Sequence, residues 1–383
     1  MSATPYVAAR RNLTWFEKLG QINWALVLVI GVIASIGFAM QYSMAGGHFY
    51  PWAAPQMMRF VVGLAILAAV AMVDIRIWLA VAYPAYLVSF LLLVAVEIIG
   101  HVGLGAQRWL ELGPIQIQPS ELMKIALVLA LARFLHGLAL EDVSKPQRLI
   151  VAVIMIAAPA VLVLKEPNLG TATILFADGF SLLFLAGLSW WWILPSAGAV
   201  IGAVPVAWHF LHDYQKRRVM TFLNPESDAL GAGWNITQAK IAIGSGGLTG
   251  KGFVQGTQSR LNFLPEKNTD FAISALGEEF GFVGCVALLT LFAIVIGFGI
   301  RIAMASRSQF GRLVAIGVTL NFFFYIMINA AMVMGMIPVV GIPMPLISYG
   351  GTAMLTVMFG FGLLMSVHVH RHVELPRSSG GII

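Results

Sequence analysis

Charge is scarce in this 383-residue chain: Asp, Glu, Lys and Arg together make up 10% of it, against about 25% in soluble domains. A globule so poor in charge cannot cover its surface in water, which excludes a string of soluble domains. Cysteine is almost missing. Cys285 stands alone, so no internal disulfide can form, and its apolar setting makes it a packing residue. No strong internal repeat is visible, which removes the commonest sequence hint of an alternating-access carrier. A cleavable signal peptide is not expected either, because the first apolar run starts after about twenty residues and is long enough to span a bilayer.

What the chain has instead is apolar surface: 59% of it is hydrophobic and the mean hydropathy is +0.87. Such a chain is solvated mostly by lipid, and an all-α, polytopic integral membrane protein is the expected fold class. The net charge of +6 is then an orientation signal rather than a nucleic-acid footprint, and no nucleic-acid partner is expected. Uncharged runs of about 20 residues fall near 22–42, 56–73, 77–99, 119–137, 149–164, 169–187, 190–212, 277–302, 311–336 and 348–369. This predicts about ten transmembrane helices. The domain reading is a segment 1–21, helices one to seven over 22–212, a large loop 213–276, helices eight to ten over 277–370 and a tail 371–383.

Orientation follows from Lys and Arg in alternate short connections. One set holds Arg10, Arg11, Lys18, Arg76, Arg133, Lys145, Arg148, Arg301, Arg307, Arg312, Arg371 and Arg377; the opposite set holds Arg59, Arg108 and Lys165. Both termini are therefore expected on the cytoplasmic side and 213–276 outside. Trp190, Trp191 and Trp192 read as interfacial anchors.

Ionisable groups inside or at the edge of a membrane are candidates for function. Glu121 and Lys124 lie three apart behind Pro119 and share a helical face; they are either a neutralising pair or a site for an anionic substrate group. Glu97 and Asp178 read as bundle-facing structural groups. Asn321, Tyr325 and Asn329 form a four-residue-spaced stripe suited to binding neighbouring helices, and His368, His370 and His372 lack the carboxylate or cysteine framework of a metal site. The segment 244–252 imitates a P-loop but has Ser245 where the motif needs Gly and Gly252 after Lys251. It leaves a glycine-rich stretch with Lys240, Lys251, Arg260 and Lys267 that can approach a phosphate. Asp270 sits between a cationic loop and an apolar helix, where partial desolvation raises basicity; a helix N-cap uses Asp in the same way.

Several stretches carry a resemblance. They are Arg108-Trp109, Gln118-Pro-Ser-Glu-Leu-Met-Lys124, Glu166-Pro-Asn-Leu-Gly-Thr171, Ile241-Ala-Ile-Gly-Ser-Gly-Gly247, Gly250-Lys-Gly252, Gly256-Thr-Gln-Ser259, Phe263-Leu-Pro-Glu266, Thr269-Asp-Phe271, Gly277-Glu-Glu-Phe-Gly281 and Pro345-Leu-Ile-Ser-Tyr-Gly-Gly-Thr352. Over nearly its whole length the chain resembles the SEDS family (shape, elongation, division and sporulation) typified by RodA and FtsW, and is closer to the elongation branch. The resemblance implies ten transmembrane helices and a peptidoglycan glycosyltransferase that polymerises lipid II at the outer face of the bacterial cytoplasmic (inner) membrane. Implied partners are lipid II and the polyprenyl-pyrophosphate-linked glycan, membrane lipid, a class B penicillin-binding protein that crosslinks the strand, and other elongation-complex proteins.

Within that resemblance Asp270 matches the family's catalytic Asp, and Glu121 and Lys124 its paired charges in the fourth helix. Asn168 stands where relatives commonly have Asp, which leaves a charge there to Glu166, and Asn268 replaces a frequent His. The expected reaction has Asp270 as general base. Lys124, Arg108, Lys240, Lys251 and Arg260 are expected to hold the departing pyrophosphate, with Glu121 and Glu266 as further substrate-binding residues. No cofactor is assigned with certainty, and a divalent cation such as Mg2+ is a candidate to share the charge stabilisation, with no ligands assignable. Two other readings compete: a lipid II flippase, and a non-catalytic scaffold for the penicillin-binding protein.

Overall fold

The computed structural model describes residues 14–103, 106–112, 115–192, 194–195, 198, 202, 209, 213–224, 232–261, 263–264 and 266–376. Arg10, Arg11, Pro225, Arg377 and most of the expected seventh span at 190–212 lie outside these. A short α1 (Trp15–Gly20) leads into α2 (Trp24–Met44), α3 (Ala53–Met72) and α4 (Ile75–Ile99). Three strands follow, β1 (His101–Gly103), β2 (Ala106–Leu112) and β3 (Ile115–Ile117), then α5 (Pro119–His136), α6 (Pro146–Lys165) and α7 (Leu169–Leu185). The polar connection carries α8 (Asp213–Leu223), α9 (Ala232–Gly246) and a single turn α10 (Thr257–Arg260). Helices α11 (Ala272–Ala305), α12 (Gln309–Val333) and α13 (Gly351–Val369) complete the bundle.

Among the described residues, seven helices are long and apolar enough to cross a membrane, and Leu169–Leu185 is a shorter apolar helix. The protein is a multi-pass, all-α membrane protein. Helix starts follow local chemistry. Pro119 opens α5 at a position that needs no N–H. Asn168 caps α7 through Oδ1, which accepts from the Thr171 amide at 3.3 Å. Asn and Asp cap equally well, so the missing charge at Asn168 costs this helix nothing.

Helix α5 is buried on nearly every side, packed between α4, α7, α12 and α13. Its centre-of-bundle position explains why its apolar residues run all round the helix rather than in a stripe.

Two features depart from the sequence expectation. The connection 100–118 is not a plain loop: β1, β2 and β3 pair antiparallel in that order, with Trp109 opposite His101 and Leu110 opposite Ile117. Strands this short leave little periodicity to read. The second is in α11, which begins at Ala272 rather than near 277 and is broken at Gly281, whose φ is 65° and ψ −159°. A break strands backbone groups that lipid cannot satisfy. The glycine stretch supplies their partners: Lys251 N donates to Glu278 O at 3.0 Å and Gly252 N to Glu279 O at 3.0 Å, while Gly247 O accepts from Phe282 N at 2.9 Å and Leu248 O from Val283 N at 3.1 Å. The P-loop look-alike is thus a backbone seal on a broken helix.

Gly281 lies in a backbone region that is essentially glycine's alone, and any other residue there costs about 1–3 kcal/mol, before counting a Cβ placed 2.6 Å from Leu248 O. Gly281→Ala should lower the unfolding temperature of the detergent-solubilised protein. Gly297→Ala, on the same helix with open space around it, should leave that temperature unchanged or raise it.

Candidate active site

The connections 45–52, 166–168, 266–271 and 334–350 and the described strands of 101–117 lie at one end of the helices, and buried amides hold two of these segments in place. Gln41 Nε2 on α2 donates to Asn268 O and to Ile347 O, each at 3.0 Å, and Gln56 Nε2 on α3 donates to Ser348 O at 2.8 Å. The Tyr349 amide donates to Asn268 O at 2.7 Å. Two segments far apart in the chain, 266–271 and 342–350, are therefore tied together directly above α2 and α3.

Asp270 lies in the first of these. Glu266 O accepts from Thr269 N at 3.3 Å and Phe271 N at 3.2 Å, so residues 266–271 form a tight turn. Asn329 Nδ2 of α12 donates to Asp270 O at 2.8 Å and to Ile342 O at 2.6 Å. The Asp270 carboxylate is half-buried, with Oδ2 3.4 Å from where a Cβ on Gly341 would sit. The N-cap of α11 is Phe271, without a side-chain cap bond. The cap position therefore falls one residue past Asp270, which is not the N-cap of this helix.

A cavity of 1020 Å³ opens beside this turn, reaching Thr269 and enclosed by α3, α4, α5, the strands and α13. Its deep wall is apolar, with Ile66, Trp78, Val88, Leu129, Leu355 and Phe359; its other end carries Arg59, Glu111, Gln116, Tyr349 and Thr352. The pleat of β2 separates the two residues of its Arg-Trp pair. Trp109 lines the cavity, whereas Arg108 Nε donates to Glu166 O at 3.0 Å and its Nη2 donates to Pro167 O.

The sequence candidates divide accordingly. Glu121 and Lys124 are 3% and 1% exposed, ion-paired at 2.6 Å, and both are joined to the Tyr325 hydroxyl of α12. Neither lines the cavity, which instead meets the other face of α5 through Leu122, Ile125 and Leu129. Lys251 pairs with Glu278 at 2.7 Å and donates to Thr257 Oγ1 at 2.9 Å. Lys240 is exposed and lies against Gly335. Arg260 is exposed, and Glu266 Oε2 accepts from Thr269 Oγ1 at 3.0 Å. Lys267 is buried, with its ammonium 5.8 Å from the Trp52 ring centre, and burial lowers its pKa.

The stripe on α12 binds helices, with Asn321 Nδ2 donating to Asp178 Oδ2 of α7 at 2.5 Å. Glu97 differs from expectation: it is exposed near the end of α4, on a turn that buries Val96 and turns Glu97, Ile98 and Ile99 outward. His370 is buried, its Nδ1 2.8 Å from Ser366 O. Among the described residues no three His, Cys, Asp or Glu gather as a metal site, and the carboxylates nearest Asp270 in sequence are engaged as above. Sequence reasoning missed Arg59, counted there only for orientation.

Glu166 is 2% exposed with both carboxyl oxygens buried and without a hydrogen-bond partner. Burial first, and Glu97 second, push its pKa up to about 8, against the opposing pull of Arg108.

The fold and site define a polytopic α-helical membrane protein in which a carboxylate-bearing turn borders an amphipathic cleft through Thr269. Residues 17–373 match the family model of FtsW, RodA and SpoVE, described as cell cycle protein, and the chain belongs to that family. It is 47% identical over 312 residues to the peptidoglycan glycosyltransferase MrdB of Escherichia coli K12, covering 81% of this chain and 83% of that one. A chain from a peptidoglycan synthase complex described as coordinating polymerization and crosslinking superposes with a TM-score of 0.81 at 30% identity, over 92% of this chain and 98% of its own. The crystal structure of Thermus thermophilus rod shape determining protein RodA gives 0.70 at 27%, over 92% and 98%.

Two outcomes follow. Removing one member of a buried ion pair costs about 3–5 kcal/mol, whereas replacing both is far milder. Lys124→Met should destabilise the solubilised protein strongly, and Glu121→Gln with Lys124→Met together much less, as read by chemical unfolding. For Glu166 the folded form holds its proton up to about 8 while the unfolded form loses it near 4.5. Folding then takes up a proton in that window, and stability falls as pH rises through it. Glu166→Gln should flatten that decline in a pH series of unfolding temperatures.

Proposed function

We propose that this protein is a peptidoglycan glycosyltransferase of cell elongation that polymerises lipid II into glycan strands. The observation that carries the reading is the position of Asp270: a half-buried carboxylate in a turn whose neighbour Thr269 lines a cavity that is polar at one end and apolar at the other. A lipid-linked disaccharide has that same polarity. Its prenyl chain suits the apolar trough and its sugars the polar rim.

The 4-hydroxyl of the incoming disaccharide attacks the anomeric carbon of the growing strand. The new C–O bond forms as the bond to polyprenyl pyrophosphate breaks, with inversion. Asp270 takes the hydroxyl proton, and the pyrophosphate leaves with the bonding electrons. Activation resides in the phosphoester, so no ATP is needed.

In this reading Lys124, Glu121, Arg108 and Lys251 hold the scaffold around the reaction, a role supported by their contacts with protein groups. Lys240, Arg260 and Glu266 stay nearer the loop surface, where they are candidates for the sugar and pyrophosphate. The loop 213–276 faces the outside of the cytoplasmic membrane and both termini face the cytoplasm, a reading supported by the Lys and Arg distribution. A class B penicillin-binding protein works beside it as crosslinking partner, as polymerisation and crosslinking are joined in the related synthase complex.

Purified protein given fluorescent lipid II, with no other polymerase present, should produce long glycan strands. Asp270→Asn should lower the rate by about a hundredfold or more. Equal product from both proteins would remove Asp270 as the base, and lipid translocation without polymer would favour a flippase.

A further inference from the structure

Lys124, Arg108 and Lys251 meet protein partners, and neither they nor Lys240, Arg260 and Lys267 line the cavity, which leaves open what receives the anionic end of a lipid-linked substrate there. Arg59 meets the requirement. Among the described residues lining the cavity it is the one cation. Its guanidinium lies 4.6 Å from the centre of the Tyr349 ring, which orients the group, and Nη1 is buried without a hydrogen-bond partner. An unmatched guanidinium N–H away from water is costly unless something accepts from it.

Arg59 also stands at the start of α13. Its Nε is 3.2 Å from where a Cβ on Gly351 would be, and Gly350, Gly351 and Thr352 line the same end of the cavity. Gly350 makes no side-chain cap bond, so the first-turn amides of this 19-residue helix add their partial positive charge to that of Arg59. The carboxylate nearby is Glu111, exposed and accepting from Gln116 Nε2 at 3.0 Å, which draws it toward β3. Beyond this polar end the walls are apolar, as a prenyl chain requires.

We propose that Arg59 and the N-terminus of α13 bind the phosphate end of a polyprenyl-pyrophosphate amphiphile whose chain occupies the apolar trough. This deepens the proposed function and rests on it. Arg59 is a substrate-positioning cation that brings the headgroup beside the turn bearing Asp270. The guanidinium fork matches two phosphate oxygens at once, which an ammonium cannot do.

The test titrates the full-length protein in detergent with polyprenyl pyrophosphate and with the polyprenol of equal chain length. Wild type should prefer the pyrophosphate by about tenfold or more, the value of a charge-assisted contact. Arg59→Gln should lose most of that preference and Arg59→Lys should keep part of it. Undiminished preference in a folded Arg59→Gln overturns the assignment.

Inorganic pyrophosphate should compete only weakly, and competition equal to that of the lipid overturns the amphiphile. Should Arg59→Gln not fold, the wild type still decides: a polyprenyl pyrophosphate with a diazirine beside the phosphates must label peptides containing Arg59 or Gly350–Thr352, and labelling elsewhere alone refutes the site. Wild-type polymerisation with no pyrophosphate preference sinks the Arg59 assignment only. The preference without any polymerisation sinks the functional reading only.

Discussion

The architecture depends on one polar stripe in an otherwise apolar helix. From the middle of α12 outward, Asn321 holds Asp178 of α7, Tyr325 holds Glu121 and Lys124 of α5, and Asn329 holds the backbone at Asp270 and Ile342. In hydrocarbon no water competes for these groups, and a missing partner is costly. The same four-residue spacing that puts them on one face of α12 therefore links the centre of the bundle to the turn that carries Asp270. Gln41 and Gln56 extend the scheme from α2 and α3, so that irregular backbone at the polar face is held by amides projecting from regular helices.

This arrangement divides the charged residues by task. Glu121 with Lys124 and Glu278 with Lys251 neutralise one another while joining α5 to α12 and the glycine stretch to α11. Arg108 spends its donors on carbonyls of the α6–α7 turn. Arg59 of α3 lines the cleft and Asp270 lies in the turn beside it, and these are the two residues to which the proposed chemistry is given. Residues that share one sequence motif are parted by the fold, as Arg108 and Trp109 are on opposite faces of β2.

Much of the bundle was legible from composition and run length. The gap at Lys165-Glu-Pro-Asn168 is so short that sequence alone left the spans on either side marginal, and the structure ends α6 and begins α7 there, while Pro119 marked the start of α5. The three strands at 101–117 were not legible, since each is short and the alternation of Arg108, Trp109, Leu110 and Glu111 mixes polar and apolar on both faces. The early start of α11 was hidden because Ala272-Ile-Ser-Ala-Leu276 reads equally as loop end or helix start. Its break at Gly281 was hidden because a single glycine in an apolar run is common in membrane helices. Of the site, Asp270 could be picked out from its boundary position. Arg59 could not, because one arginine beside the apolar run Phe60-Val-Val62 looks like any side chain reaching for the membrane surface.

The sequence by itself determined the class of protein, the approximate spans, the family and the carboxylate on which the chemistry is proposed to turn, because hydropathy and motif identity are properties of contiguous residues. Tertiary structure alone decided which side chains each cation meets. Lys124, Lys251 and Arg108 reach their protein partners through specific faces and loops that are distant in the chain. Arg59 gains its place because packing buries one of its nitrogens at the mouth of the cavity with nothing to bind, a circumstance no single stretch of residues encodes.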